Sequence, residues 1–393
     1  MAFRSRDERV KAAEVDRQVA DSLTPGIRIA AAWSWRILAV VGVIAVVIFL
    51  VVQLRLIVIP LLVALLLAAL LVPFSNWLQR HRWPKWLAVA VSEVGIIAIV
   101  AGLVFLIVFF VIRGVPDLVA QTLVKYDELK AWLLTSPFHL TEADINAWAT
   151  GLVDSLQADT SGLVTGALSL GSTFGHLLAG ILLVLFATLF ILIDGRGIWA
   201  WIVHLFPKRA QPPLEGAGEA GWLTLSNFVR VQVFVAFVDA VGIGLGAWIL
   251  GLFYGGFPLV IPIAILVFLG SFIPVVGAVL SGILAVFVAL VYLGPWPAFI
   301  MVLIVIGVQQ LEGHVLQPFV VGNVVKVHPL AVVIAVATGG FVAGIPGALF
   351  AVPLVAVANV MIGYIARGEW RTNPHPSLAD VVPPSRGPRP SAQ

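Results

Sequence analysis

The region from Val231 to Ala366 contains only three charged side chains, Asp239, Glu312 and Lys326. One helical crossing of a bilayer needs about 20 consecutive apolar residues, and apolar runs near this length recur along the whole chain. Of all residues, 61% are hydrophobic and 11% are charged, whereas soluble domains carry about 25% charged residues. The chain is therefore predicted to be an all-α, polytopic transmembrane bundle.

Polar segments between the apolar runs divide the chain into five regions. Residues 1–35 are a charged tail, and residues 36–112 contain three predicted transmembrane helices. Residues 113–175 place apolar side chains along helical stripes with charges elsewhere, which predicts an amphipathic helical insertion outside the membrane. Residues 176–366 are the predicted membrane core, and residues 367–393 are predicted to be a disordered, proline-rich tail.

The placement of lysine and arginine predicts the orientation of the chain. If the N-terminus is cytoplasmic, 19 of the 23 basic residues face the cytoplasm, and only Arg55, Arg113, Lys125 and Lys130 lie outside. Cytoplasmic loops carry an excess of basic residues. Both termini are therefore predicted to be cytoplasmic, in a multi-pass protein of the inner or plasma membrane.

Two long apolar runs are interrupted near their centres by proline and glycine. Residues 257–293 break at SFIPVVGA, and residues 328–365 break at AGIPGA. Each first arm is too short for an upright crossing at about 1.5 Å per residue, which predicts two re-entrant hairpins that enter from opposite faces. The alternative is two pairs of kinked spanning helices. The predicted tip residues are Pro274, Gly277, Gly344, Pro346 and Gly347.

A cluster of polar side chains lies at the end of the helix between the two hairpins. Glu312 follows Gln309 by three residues, so the two share a helical face, with Gln310, His314 and Gln317 beside them. A carboxylate in an apolar helix costs about 2.5–3.5 kcal/mol on insertion scales. This cost favours a polar lining of a solute or ion pathway, although Glu312 at the inner membrane interface is the alternative.

Asp239 is the second acidic side chain predicted to lie deep among apolar neighbours. Such a group must be paired, protonated or exposed to water. Gly242, Gly244 and Gly246 follow it and permit close packing of a neighbouring helix. Asp239 is therefore a candidate for the same pathway.

Two stretches resemble a known family. RVQVFVAFVDAVGIGLGAWILG with FPLVIPIAILVFLGSFIPVVGAVLSG, and QQLEGHVLQPFVVGNVVKVHPL with GGFVAGIPGALFAVPLVA, are similar to segments of the autoinducer-2 exporter family of membrane transporters. The resemblance covers about residues 228–364 and implies transport of a small hydrophilic signal or of ions. Motif residues assigned a structural role are Gly313, Pro318, Gly322, His328 and Pro329.

These patterns together predict a secondary transporter or exporter of a small polar solute, driven by an ion gradient, with protons as the expected coupling ion. A cation/proton antiporter and a non-transporting membrane scaffold are the alternatives. Membrane lipid, the solute and the coupling ion are the expected partners, and glycine-rich faces favour a homo-oligomer. Metal-ligand spacings, nucleophile–base pairs and nucleotide motifs are not evident, so no enzyme activity, metal, cofactor or nucleic-acid partner is expected.

Overall fold

The computed structural model describes residues 25–135, 170–273, 276–314 and 329–381. Within these ranges all regular structure is helical. The helices are α1 (Pro25–Gln53), α2 (Arg55–Arg80), α3 (Lys85–Thr135), α4 (Leu170–His204), α5 (Gln211–Tyr254), α6 (Val260–Gly270), α7 (Val276–Leu293), α8 (Pro295–Leu311), α9 (Pro329–Arg367) and α10 (Leu378–Val381), with a 3-10 turn at Glu369–Arg371.

Seven of the described helices contain a segment long and apolar enough to cross a membrane. They are α1, α2, α3, α4, α5, α8 with the residues that follow it, and the long broken helix α9. Many large apolar side chains remain exposed on these helices, as the lipid-facing surface of a membrane protein requires. The prediction of an all-helical, polytopic membrane protein is confirmed.

The chain divides into two compact units after Val58. The first unit contains α1, which begins at Pro25 and thus inside the predicted tail of residues 1–35. Proline suits the first turn of a helix, because its missing N–H has no partner there. Trp33 and Trp35 lie on α1 and are exposed. The second unit begins at Ile59, within α2, and holds the rest of α2 and the helices that follow.

Helix α3 runs without a break from Lys85 to Thr135. Its 51 residues span about 77 Å at 1.5 Å per residue, far more than the roughly 30 Å of a bilayer core. The boundary predicted at residue 113 is therefore not a break in the helix. The remainder of the predicted insertion falls largely on residues 136–169, outside the described part of the chain.

Helix α4 ends its first segment at Asp194, where the backbone leaves the helical region (φ −149°, ψ 48°). The carboxylate of Asp194 accepts a hydrogen bond of 3.2 Å from the backbone N–H of Gly197. This contact caps the short helix that follows.

Helix α5 is the centre of the second unit, because α6, α8 and α9 all pack against it. Its core side chains recur every three or four residues and contact the hairpin that follows in sequence. The buried members from α5 are Ala240, Ile243, Ala247 and Leu250, and they pack with Phe257, Ile263, Val267 and Met301.

The segment after α9 folds back onto the start of α5. The hydroxyl group of Tyr364 donates a hydrogen bond to the carbonyl of Asn373, at 2.6 Å, and a ring nitrogen of His375 lies 3.1 Å from a carboxylate oxygen of Glu219. The sequence predicts a disordered tail from residue 367 onwards. The structure instead orders residues 369–381, because they find partners on α5 and α9.

Candidate transport site

The first hairpin turns between Gly270 and Gly277. A Cβ atom added to Gly277 would overlap the carbonyl oxygen of Gly270. In a continuous helix, residues seven apart are separated by about 10.5 Å along the axis. The chain therefore reverses direction here, and glycine permits the two arms to touch through their backbones. The predicted tip residue Pro274 lies outside the described residues.

The second hairpin turns at Ala343 and Gly344, inside α9. The backbone of Gly344 has φ 64° and ψ −147°, a conformation that glycine adopts without steric cost. A Cβ atom on Gly347 would overlap the carbonyl oxygen of Gly339, so this helix also folds back on itself. Pro346 lies in the first turn of the returning arm, where its missing N–H needs no partner.

Helix α5 holds the tip of the first hairpin through two polar side chains. The Gln232 side-chain amide donates a hydrogen bond of 2.6 Å to the carbonyl oxygen of Ser271. The hydroxyl oxygen of Ser271 lies 3.1 Å from Oδ2 of Asp239. Gln232 and Asp239 are almost two helical turns apart and so share one face of α5.

Asp239 is buried, with 4% of its surface exposed. Its Oδ1 atom is buried and accepts no hydrogen bond from the residues that the structure describes. The prediction that Asp239 lies deep in the protein is confirmed. Its proximity to a hairpin tip is an additional finding.

Helix α8 packs antiparallel to α5 over two of the predicted glycines. The Ile304 side chain occupies the space above Gly246, and the Val308 side chain occupies the space above Gly242. Continuing this register by one turn places Glu312 at the height of residue 238, next to Asp239 along α5. The fold therefore brings the two predicted acidic residues to one level on neighbouring helices.

The returning arm of α9 also runs antiparallel to α5. Tyr364 packs against Gly216, and Met361 packs against Gly221. Because the two helices are antiparallel, one residue back along α9 corresponds to one residue forward along α5. This register puts Gly344 at about the height of Ala236. The first hairpin tip contacts the segment of α5 between Gln232 and Asp239 through Ser271, and the helix registers put Gly344 and Glu312 at about the same height.

The other predicted site residues lie at the end of α8, at the start of α9 or outside the described part of the chain. Gln309 is half-buried, whereas Gln310, Gly313 and His314 are exposed. The His314 ring lies 3.3 Å from the carbonyl oxygen of Gln310. Pro329 begins α9. Four predicted residues lie outside the described part of the chain: Gln317, Pro318, Gly322 and His328.

Sequence reasoning did not select Gln232 and Ser271. Both are uncharged, so neither stands out in an apolar segment as Asp239 does. The available signal was positional, since Gln232 precedes Asp239 by almost two turns and Ser271 opens the SFIPVVGA break.

The model of the AI-2E transporter family matches residues 37–367. The chain belongs to this family. This member is 39% identical over 360 residues to "Putative transport protein MT0215" of Mycobacterium tuberculosis, an alignment that covers 92% of the present chain and 96% of the relative. The resemblance stated from the sequence motifs is confirmed, and the match extends it to the first membrane helices.

Two more distant relatives cover most of this AI-2E family member. "Putative transport protein YrrI" of Bacillus subtilis is 25% identical over 79% of the present chain and 86% of its own length. "AI-2 transport protein TqsA" of Escherichia coli is 23% identical over 80% of the present chain and 87% of its own length. The relatives are described as transport proteins, which is consistent with a role in membrane transport and with the expectation of no enzyme activity.

The chemistry available at the site is that of carboxylates, amides and a hydroxyl group. Across the described ranges, no group of three or more histidine, aspartate or glutamate side chains could hold a metal ion. The amide and hydroxyl groups can exchange hydrogen bonds with polar groups, and a carboxylate can take up or release a proton.

Proposed function

We propose that this AI-2E family protein is a secondary transporter that exports a small polar solute by alternating access, coupled to an ion gradient. The observation that carries the proposal is the contact of Gln232 and Asp239 with Ser271 at the tip of a helical hairpin. Transporter sites characteristically lie where interrupted helices meet near the middle of the membrane. A buried acid at such a break supplies both a polar surface and a group that changes charge.

The two hairpins support an inverted arrangement, which is one of the architectures used for alternating access. The first arm of the first hairpin has 11 residues and is about 16 Å long at 1.5 Å per residue, about half of a bilayer core. We propose that both hairpins are re-entrant from opposite faces, that both termini are cytoplasmic, and that the protein forms a homo-oligomer in the inner or plasma membrane.

The polar side chains at this level of α5 favour a small polar solute. The Escherichia coli relative is named for transport of AI-2, so AI-2 is the first solute to test. A cation/proton antiporter is the second candidate, because Asp239 and Glu312 lie at one height along α5 and α8. Two acids at one level can alternate between a proton and a metal cation.

The test uses purified protein in lipid vesicles with an imposed pH gradient and a pH-sensitive dye inside. We expect proton movement that depends on added AI-2, or on added sodium if the protein is an antiporter. Glu312→Gln, which keeps the size and removes the charge, is expected to abolish this movement, and Glu312→Asp to retain part of it. Glu215→Gln, at an exposed position near the start of α5, is the matched control.

A membrane scaffold predicts a different result. Wild-type vesicles would then show no proton movement with either solute, at any pH gradient. Equal rates in the wild type and in Glu312→Gln would instead remove Glu312 from the mechanism and leave Asp239 to be tested alone.

A further inference from the structure

The part of α4 that follows Asp194 lies beyond the membrane crossing. A straight helix with the 35 residues of α4 would be about 52 Å long at 1.5 Å per residue, whereas a bilayer core is about 30 Å thick. The backbone instead breaks at Asp194, and the apolar residues before the break are long enough to cross the core. Residues 195–209, which we call the elbow segment, therefore follow the end of this crossing.

The break lies near the end of the bundle at which α2 and α3 are joined. Leu192, just before the break, packs with Leu71 of α2 and Val89 of α3. The turn between α2 and α3 exposes three basic residues and two tryptophans: Arg80, Arg82, Lys85, Trp83 and Trp86. Tryptophan is enriched where a membrane meets water. The elbow segment is therefore close to a membrane surface that other parts of the chain also mark.

One face of the elbow segment is held against α5. The Trp199 ring occupies the space above Gly218 of α5, and Val203 is buried. Residues four apart share one face of a helix, so Trp199 and Val203 form the face that packs inward. This contact determines which side chains of the segment point away from α5.

The outward face of the elbow segment is apolar and exposed. Trp201 lies about 200° around the helix from Trp199, and it shares its face with Leu205. Of their surfaces, 66% and 68% are exposed, and Phe206 is exposed as well. A group of large exposed apolar side chains marks a surface that contacts a membrane or another protein.

Basic side chains flank this apolar face. Arg196 precedes it, Lys208 and Arg209 follow it, and all three are exposed. None of them forms an ion pair with another described residue. Residues 195–214 contain no aspartate or glutamate, and Asp194 caps the segment through its carboxylate. The elbow segment therefore carries a positive net charge that the described chain does not neutralise.

We propose that the elbow segment lies in the headgroup layer of the membrane and binds anionic phospholipids. Trp201, Leu205 and Phe206 enter the boundary between headgroups and acyl chains, and the flanking basic side chains contact lipid phosphates. Amphipathic helices with this distribution bind anionic membrane surfaces through both contributions. The positive charge at both ends of the apolar face selects an anionic lipid surface as its occupant. This inference does not depend on the proposed transport function.

Lipid binding at this place also positions the central helix. Trp199 joins the elbow segment to α5 near the start of that helix. A segment anchored among the headgroups therefore holds the start of α5 at the membrane surface.

The test measures the depth of the elbow segment in membranes of defined charge. The chain contains no cysteine, so Pro207→Cys, at an exposed position, carries a single fluorescent label. The labelled full-length protein is placed in nanodiscs of phosphatidylcholine with increasing fractions of phosphatidylglycerol. A quencher attached to the acyl chains near the headgroups reports docking. We expect quenching to increase with the phosphatidylglycerol fraction and to weaken at high salt, which screens charges.

Charge variants of the labelled protein test the flanking basic residues. Each basic residue near an anionic surface contributes about fivefold to binding. Lys208→Gln with Arg209→Gln is therefore expected to weaken docking about 25-fold. Arg113→Gln with Lys125→Gln removes the same charge from α3, at least about 42 Å along the helix from Lys85, and should leave docking unchanged.

A second pair of variants tests the apolar face. Trp201→Ala keeps every charge and is expected to reduce quenching at each lipid composition. Trp296→Ala is the matched control, because Trp296 is 65% exposed but lies at the start of α8. Its quenching should equal that of the labelled parent protein.

Three results would overturn the inference. Equal quenching with and without phosphatidylglycerol would show that the surface does not select anionic lipid. A label that lipid does not quench and that is shielded from iodide in water would show that protein, such as a second copy of the chain, covers this face. A label that lipid does not quench and that iodide reaches freely would place the elbow segment in water.

Discussion

Replacing Gln232 with alanine should loosen the first hairpin by a predictable amount. The substitution deletes the 2.6 Å hydrogen bond to the Ser271 carbonyl and leaves that acceptor at the end of a helix. Hydrogen bonds between helices of membrane proteins contribute about 0.6 kcal/mol on average and about 1.7 kcal/mol at most. At 1.4 kcal/mol per factor of ten, the open population of the tip should rise about 3- to 16-fold.

The chain contains no cysteine, so Ile273→Cys places a single thiol at the tip, and its reaction with a small thiol reagent reports this population when closing is faster than labelling. The labelling rate is compared with and without Gln232→Ala at one fixed pH. Gln211→Ala is the matched control, since its amide bonds to the exposed carbonyl of Phe206 and lies away from the hairpin. A labelling rate in Gln232→Ala that equals the control would show that the amide does not hold the tip.

Three other predictions concern the fold and its surroundings. Gly277→Ala should lower the free energy of unfolding by about 1–3 kcal/mol, because the added methyl group meets the carbonyl of Gly270. Gly307→Ala, with open space around it, is the control and should be neutral or slightly stabilising. An unchanged melting temperature in Gly277→Ala would contradict the backbone contact. Reporter fusions after Lys85 and after Trp370 should read cytoplasmic and one at Gln157 external, and a cytoplasmic signal at Gln157 would overturn the orientation. Hydrogen bonds from Ser377 and Asn373 hold the pKa of Asp380 below its ordinary value. The contribution of Asp380 to the stability of the C-terminal segment is therefore complete above the pKa of the unfolded state and is lost as the pH falls below about 4. Hydrogen exchange at the Ser377 amide, which donates to Asp380, should therefore accelerate only in acid, and a loss of protection near neutral pH would contradict this assignment.

The helix breaks could be read from the sequence because their chemistry is local. Proline removes a backbone donor and glycine permits φ values above zero, as at Gly344, so AGIPGA indicates a break wherever it occurs in an apolar run. The lengths of α3 and α5 could not be read in the same way. Helix α3 continues into a stretch whose apolar stripes predicted a separate amphipathic helix, and α5 begins in polar residues that precede its apolar run. Periodicity within each stretch gives no sign that the helix is continuous.

The partners of Asp239 required the tertiary structure. A buried acid stands out in the sequence because burying a charged group is energetically unfavourable. Gln232 and Ser271 are neutral and do not stand out, and 39 positions separate them along the chain. The shared height of Asp239 and Glu312 likewise depends on the packing of α8 over Gly242 and Gly246. The glycines predicted that another helix packs closely against this part of α5. Only the fold shows that this helix is α8, that it runs antiparallel to α5, and in which register it packs.

The most direct test of the account is concentrative transport of a solute driven by a pH gradient alone. Vesicles containing purified protein are loaded without the solute under test, a pH gradient is imposed, and the internal solute is measured over time. The account predicts that the wild type accumulates a small polar solute above its external concentration and that collapsing the gradient releases it. Glu312→Gln should only equilibrate the solute across the membrane. Accumulation by Glu312→Gln to the wild-type level would contradict the assignment of proton coupling to this residue.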